Sequence, residues 1–306
     1  MTAQVIPSMD MNQARELLGQ AERLHAANAD SDAETIYGSV ISGLARDDAS
    51  RDQLIRAYEG LIDLRLIQGR LLRAMRIFRQ YLDHDAPACD PVYDQIYCDG
   101  LLATQTPPIP LRRRERFFSL VQLLHQALPL AGLAAECGCF RGLSSYILCR
   151  YLQLSNHRFD GRGYRIFDSF AGLSELQPED AIADSDPHAS MLSHGYRGGH
   201  FAAQLDEVKK ALSSFPGIEF FPGWIPEAFP DEPGARYSFV HLDVDLYQPT
   251  RDSLEYFYPR LVAGGRIVCD DFNWPGARKA IEDYCAAVKA EFTPTPYQQA
   301  HIVRRA

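Results

Sequence analysis

The chain of 306 residues has a formal net charge of −9 and is 46% hydrophobic, enough apolar material to bury a substantial core. Its densest basic cluster, Leu111-Arg-Arg-Arg-Glu-Arg116, is too short for a nucleic-acid face, so nucleic acid is not an expected partner. No apolar run approaches the roughly 18 residues of a membrane helix, and Met1–Asn12 lacks the charged and apolar regions of a secretory signal; no membrane partner and a cytoplasmic location are expected.

From Met11 to about His84, apolar and alanine residues recur at three- and four-residue spacing, the helical period. Ala33, Ile36, Tyr37, Val40 and Ile41 form one stripe, Leu54, Ala57, Tyr58, Leu61 and Ile62 a second, and Ala74, Ile77, Phe78 and Leu82 a third. Breaks fall at Asp30–Asp32, Arg46–Ser50 and Gln68–Gly69, so residues 1–85 read as a helical N-terminal domain. The small–large stripes are reminiscent of a tetratricopeptide hairpin, although Ala33 to Ala74 is longer than that repeat's usual period of about 34 residues. A plain helical extension or dimerisation arm fits equally.

Residues 86–110 hold Pro87, Pro91, Pro107, Pro108 and Pro110 and read as a proline-rich linker. The remainder, 111–306, opens with a helix over Leu111–Leu128, and strand and helix signals then alternate. Strands are expected at Gly132–Cys137, Tyr164–Phe167, Ile218–Phe221, Tyr237–Leu242, Arg266–Cys269 and Ala300–Val303, with helices between them, predicting an α/β fold on a parallel, Rossmann-like sheet. The polar segment Ser174–His200 is long for a connection and reads as a lid or binding loop carrying His188, His194 and His200. The seven cysteines are odd in number and scattered, which argues against a disulfide framework; Cys137 and Cys139 have no matching Cys/His pair and read as small buried residues.

Three stretches carry candidate chemistry. Glu136-Cys-Gly-Cys-Phe-Arg-Gly142 ends the first strand; Gly138 and Gly142 permit a tight turn and a close backbone approach to a ligand, or are purely structural. Asp168 ends the next strand, where a carboxylate can accept hydrogen bonds from both ribose hydroxyls of an adenosine ligand, or cap the following turn. Trp224, after the third strand, could flank a planar ring such as adenine or join the core. Finally, Asp243 and Asp245 follow one strand and Asp270 and Asp271 the next. Acid pairs at neighbouring strand ends repel unless a cation joins them, and a set of hard oxygen donors suits Mg²⁺, Mn²⁺ or Ca²⁺. One of the four could instead cap a helix. His241, inside an apolar strand, reads as a core histidine.

The blocks Glu136–Gly142, Phe167-Asp-Ser-Phe-Ala-Gly-Leu173, His241–Glu255 and Leu261–Phe272 together resemble the macrocin/mycinamicin sugar O-methyltransferase family, which includes noviose methyltransferases. The likeness covers Leu111 to Ile302. It implies a class I methyltransferase domain using S-adenosylmethionine and Mg²⁺ to methylate a sugar hydroxyl in antibiotic biosynthesis, with a small-molecule glycoside as substrate. It further implies that Glu136, Gly138 and Gly142 shape the methionine end of the cofactor site, and that Asp168 binds the ribose with Ser169 and Phe170 beside it. Asp243, Asp270 and Asp271 would hold the metal. Asp243 would serve as general base, with Asp245 the competitor. A homo-oligomer is expected. Two rivals remain: a metal-dependent glycosyltransferase using Asp243-Val-Asp245 as a D-x-D motif, and an interaction scaffold with an inactive catalytic domain.

Overall fold

The computed structural model describes residues 9–87, 89–180 and 196–305. Two compact units emerge: one runs to Leu101 and includes Pro107–Arg114, and the other comprises Leu102–Thr106 and the residues from Glu115 onward.

In the first unit, α1 (Met11–Ala26), α2 (Asp30–Gly43), α3 (Arg51–Ile67) and α4 (Leu71–His84) end where the helical period breaks. Asp10 caps α1, its carboxylate accepting from the amides of Asn12 and Gln13 at 2.8 and 2.9 Å. Ala14, Leu18 and Ala21 of α1 share a core with Ala33, Tyr37 and Val40 of α2 and Leu54, Ala57 and Leu64 of α3. The alternation of alanine with larger side chains lets these helices approach closely. The stretch 86–110, expected as a linker, holds the 13-residue helix α5 (Pro91–Ala103). Pro91 occupies the first turn, where a missing N–H costs nothing. Asp90 accepts from the Val92 amide at 2.7 Å, and Tyr93, Ile96, Tyr97 and Leu101 bury one helical face. Proline here starts a helix.

The second unit is built on a seven-stranded sheet: β1 (Leu133–Cys137), β2 (Tyr164–Asp168), β3 (Glu219–Pro222), β4 (Tyr237–Leu242), β5 (Leu261–Cys269), β6 (Phe292–Pro294) and β7 (Ala300–Val303), in the order β3-β2-β1-β4-β5-β7-β6. β1 to β5 are parallel, while β7 runs antiparallel to both β5 and β6. This is the expected Rossmann-like sheet; α6 (Arg113–Ala127) precedes β1, and α7 (Leu143–Ser155), α8 (Leu205–Ala211), α9 (Tyr247–Phe257) and α10 (Pro275–Val288) lie in the connections between its strands. The sequence reading missed β6, a three-residue strand, and began β5 at Arg266 rather than Leu261, because the glycine-rich start of that strand carries no strand signal. Tyr237, Phe167, Phe257, Ile267 and Ile281 lie at the centre of its core. Among the described residues, no helix is long and apolar enough to cross a membrane.

Strand order reverses between β1 and β4, and in such sheets ligands enter the crevice beyond the carboxyl ends at that point. Cys137 stands level with Leu242, and Leu242 with Cys269, so Gly138, Asp243 and Asp270 emerge side by side. Gly138 is required there on two counts: its φ is +78°, and a Cβ would lie 1.9 Å from the Asp243 carbonyl oxygen. Gly138→Ala is therefore expected to destabilise the fold by about 2 kcal/mol or more, from left-handed strain plus displacement of β4. An unchanged urea-unfolding midpoint would contradict this.

Candidate active site

On the β1 side, the loop Gly138–Gly142 is held by Asp168 at the end of β2. One Asp168 oxygen accepts from the amides of Cys139 at 2.7 Å and Phe140 at 3.2 Å, and the other accepts from Phe170 N at 2.7 Å. Three backbone donors thus use most of this carboxylate's accepting capacity, and Asp168 latches two loops together. Ser169 serves the next turn, donating to Gly172 O at 3.0 Å and accepting from Ala171 N. Gly142, at φ +87°, opens α7 and packs on Val208 and Leu212. Trp224 is 46% exposed beyond β3, so it is a surface ring and not a core one.

Glu136 is fully buried and does not open into the crevice. The β1–β4 register sets it opposite His241, whose Nδ1 lies 2.9 Å from Glu136 Oε1, while Ser145 and Tyr164 donate to Oε2. The other ring nitrogen of His241 lies 3.5 Å from Asp270 Oδ1, an electrostatic contact longer than a good hydrogen bond. His241 is a core histidine, as its apolar strand implies, but it is clasped by two carboxylates. Burial opposes its charging; Asp270 and Glu136 outweigh burial and lift its pKa to about 10.

Asp270 is itself fully buried; its Oδ1 is hydrogen-bonded, while its Oδ2 has an ion-pair partner but no hydrogen bond among the described residues. Gln299 Nε2 donates to Oδ1 at 2.6 Å, and Arg116 Nη1 pairs with Oδ2 at 2.9 Å. Burial would raise its pKa, yet Arg116 and His241 hold it down at about 2.

Oxygens of Asp243, Asp245 and Asp271 lie within 4.8 Å of one another, a spacing that suits one shared cation; His241, Asp243 and Asp270 form a second such group. The expected trio of Asp243, Asp270 and Asp271 is thus divided, with Asp243 common to both groups. Asp245 adopts φ +59°, left-handed for a non-glycine residue, and its amide donates to Asp271 Oδ2 at 3.3 Å. Burial and then the charge of Asp243 push the Asp245 carboxyl up to about 8. Asp243 and Asp271 are raised well above the usual range, again by burial first and by neighbouring aspartates second.

Aromatic rings border the acids. Tyr196 meets Trp274 edge-on at 5.8 Å and Phe201 at 5.3 Å, and Phe201 meets Phe140 at 5.6 Å. His200 joins through Tyr196 at 5.7 Å. His188 and His194 lie outside the described residues. Sequence reasoning passed over Arg116, Gln299, Ser145, Tyr164 and Tyr196. Only Arg116 left a trace, as the last member of the arginine cluster that opens the helix before β1.

Comparison with known proteins supplies four findings. The model of the Macrocin-O-methyltransferase (TylF) family matches residues 113–294. The 8-demethyl-8-(2,3-dimethoxy-alpha-L-rhamnosyl)-tetracenomycin-C 4'-O-methyltransferase of Streptomyces olivaceus is 31% identical over 157 residues, 50% of this chain and 58% of that protein. The Mycinamicin III 3''-O-methyltransferase of Micromonospora griseorubida is 30% identical over 158 residues, 50% of this chain and 60% of that protein. The chain therefore spans only about 58–60% of the length of these relatives. Among solved structures, the O-methyltransferase NovP superposes with a TM-score of 0.52 at 22% identity, covering 63% of this chain and 81% of that one, which speaks for the fold.

The raised carboxyls have a stability consequence. Between the ordinary carboxylate range and about pH 8, Asp245 keeps its proton in the folded chain and loses it in the unfolded one. Stability contributed by this difference is complete below about pH 4 and is lost as pH rises through 8. His241, raised to about 10, acts with the same sign above its ordinary value. The thermal midpoint of the cation-free protein should thus fall from pH 5 to pH 8.5, and Asp245→Asn should flatten that fall. A midpoint that climbs over this range would contradict the assignment.

Proposed function

Because the chain belongs to the macrocin O-methyltransferase family, we propose that it transfers a methyl group from S-adenosylmethionine to a sugar hydroxyl on a glycosylated natural product, with Mg²⁺ assisting. The observation that carries this reading is the group of Asp243, Asp245 and Asp271 at the point where strand order reverses. The similarity to enzymes named for O-methylation of a rhamnosyl-tetracenomycin and of mycinamicin III supports the substrate class.

The donor set fits a hard divalent cation: three carboxylates, no thiolate, and proton affinities raised by burial and by one another's charge. Asp243, common to both acid groups, would hold it with Asp245 and Asp271 on one side and Asp270, whose Oδ2 accepts no hydrogen bond among the described residues, on the other. Such a cation, when bound, lowers the pKa of a hydroxyl it touches. S-adenosylmethionine, when bound, supplies an electrophilic sulfonium methyl. The loop Gly138–Gly142 and the Asp168–Phe170 turn would receive that cofactor, with Trp224 beside its flat ring. Glu136 contributes from within, through His241.

Asp243 accepts the proton of the sugar hydroxyl. In the cation-free chain burial and its neighbours Asp270 and Asp271 raise its proton affinity; with a cation among the acids it would be ionised, the form in which a carboxylate serves as a general base. Asp245, raised to about 8, is the second acceptor. The protein's remaining contribution is alignment of hydroxyl and methyl, the larger part of the rate in a displacement of this kind. The helical first unit is proposed to serve self-association or recognition of the substrate's carrier.

Two measurements test the reading. Calorimetry should detect S-adenosylhomocysteine binding and none of UDP or TDP; the reverse would replace methyl transfer with glycosyl transfer through Asp243 and Asp245. Asp243→Asn should lower kcat for methylation by about 10²–10⁴, the usual worth of a general base, with S-adenosylhomocysteine affinity retained. Undiminished turnover would rule out Asp243 as the base.

A further inference from the structure

Three helices of the first unit line a cleft of about 460 Å³, within the range of about 300–1,000 Å³ typical of small-molecule sites. All of its lining residues belong to this unit. Residues at i, i+3, i+4 and i+7 share one face of a helix. On α3 that face is Arg56, Glu59, Gly60 and Asp63, and all four line the cleft. Glu22 and His25 join from α1, and Tyr37 from α2.

A polar stripe on a helix usually faces water alone, but this one faces a buried phenol. Tyr37 is 2% exposed, and its hydroxyl makes no hydrogen bond among the described residues. A buried tyrosine hydroxyl ordinarily has a partner. The ring lies over Gly60, in the interior of α3, where a Cβ would collide with Cζ, the carbon that bears the hydroxyl. Glycine inside a helix costs stability; here it makes room for the ring and brings the hydroxyl to the cleft wall.

The charge around that hydroxyl is mainly of one sign. Glu22, Glu59 and Asp63 stand against a single arginine, so the wall is net negative even with His25 charged. Arg56 is spent on Glu22 at 2.5 Å, whereas His25 approaches Asp63 only to 3.8 Å, beyond hydrogen-bond range. Burial first, and then the charges of Glu22 and Asp63, raise the Tyr37 phenol above its ordinary pKa. It therefore stays neutral, able to accept a hydrogen bond as well as donate one.

We infer that the helical unit carries a ligand site of its own, for a small molecule bearing an ammonium group: Asp63 and Glu22 neutralise the ammonium, and the Tyr37 oxygen accepts one of its hydrogen bonds. The three donors of an ammonium match these three acceptors. An anion would meet the carboxylates' repulsion, and an apolar ligand would bury them unpaired. The inference is independent of methyl transfer and of the divalent cation.

Calorimetric titration of the full-length protein with trans-4-aminocyclohexanol, a ring-sized ammonium at neutral pH, tests this, with cyclohexane-1,4-diol as the uncharged counterpart. The amine should bind one to one, and the diol should not bind. Tyr37→Phe should weaken amine binding about fivefold and Asp63→Asn about tenfold, the usual worth of a neutral and of a charge-assisted hydrogen bond. Because the hydroxyl has no partner in the fold, Tyr37→Phe should leave the ligand-free thermal midpoint unchanged or raise it. A lowered midpoint would assign the hydroxyl a structural role and overturn the inference. So would absence of amine binding, equal binding of the diol, or unaltered affinity in both variants. Should Asp63→Asn fail to fold by circular dichroism, Glu22→Gln replaces it with the same expectation.

Discussion

Four carboxylates gathered at the ends of two adjacent parallel strands are the constraint around which the catalytic unit is arranged. Two unit charges about 4 Å apart repel by about 4 kcal/mol at the effective dielectric of a protein surface, and Asp243, Asp245, Asp270 and Asp271 present several such pairs. The fold accommodates them in two ways. Asp270 is neutralised from behind by Arg116, with Gln299 and His241 beside it. The other three keep elevated proton affinities until a cation takes the protons' place.

The same arrangement ties the two halves of the crevice together. The parallel register of β1 and β4 sets Glu136 opposite His241, and His241 in turn faces Asp270 at the end of β5. A continuous buried chain of charge therefore runs from Ser145 and Tyr164 through Glu136 and His241 to Asp270 and Arg116. Removing one of its charged members leaves another buried without its partner, so the chain favours one geometry for the cofactor loop and the acid group together. Gly138 completes the link by letting the backbones of the β1 and β4 ends touch.

Much of this was legible from the amino-acid sequence. Each central strand is a short apolar run, and acids at the ends of β4 and β5 stand out because no other role accounts for two doublets on neighbouring strands. The glycines at 138 and 142 and the acid at 168 mark a loop and a turn, with ligand-binding and purely structural readings both open at that stage. What stayed hidden depends on register and on partners far along the chain. Arg116 and Gln299 reach Asp270 from positions 154 residues before it and 29 residues after it. No local pattern signals that convergence. The burial of Glu136 was likewise invisible, since a glutamate ending a strand can face the crevice or its neighbour strand, and only pairing with β4 decides. The helix α5 was masked by its prolines, which mark linkers more often than helix starts.

The account stands or falls on where a divalent cation sits relative to these acids. The anomalous difference map of a crystal equilibrated with Mn²⁺, recorded near the manganese absorption edge, locates it directly. The account predicts one peak among the carboxylates of Asp243, Asp245, Asp270 and Asp271, with Asp243 among its ligands. A peak away from Asp243, or no peak in the crevice while the acids remain as described, would contradict it.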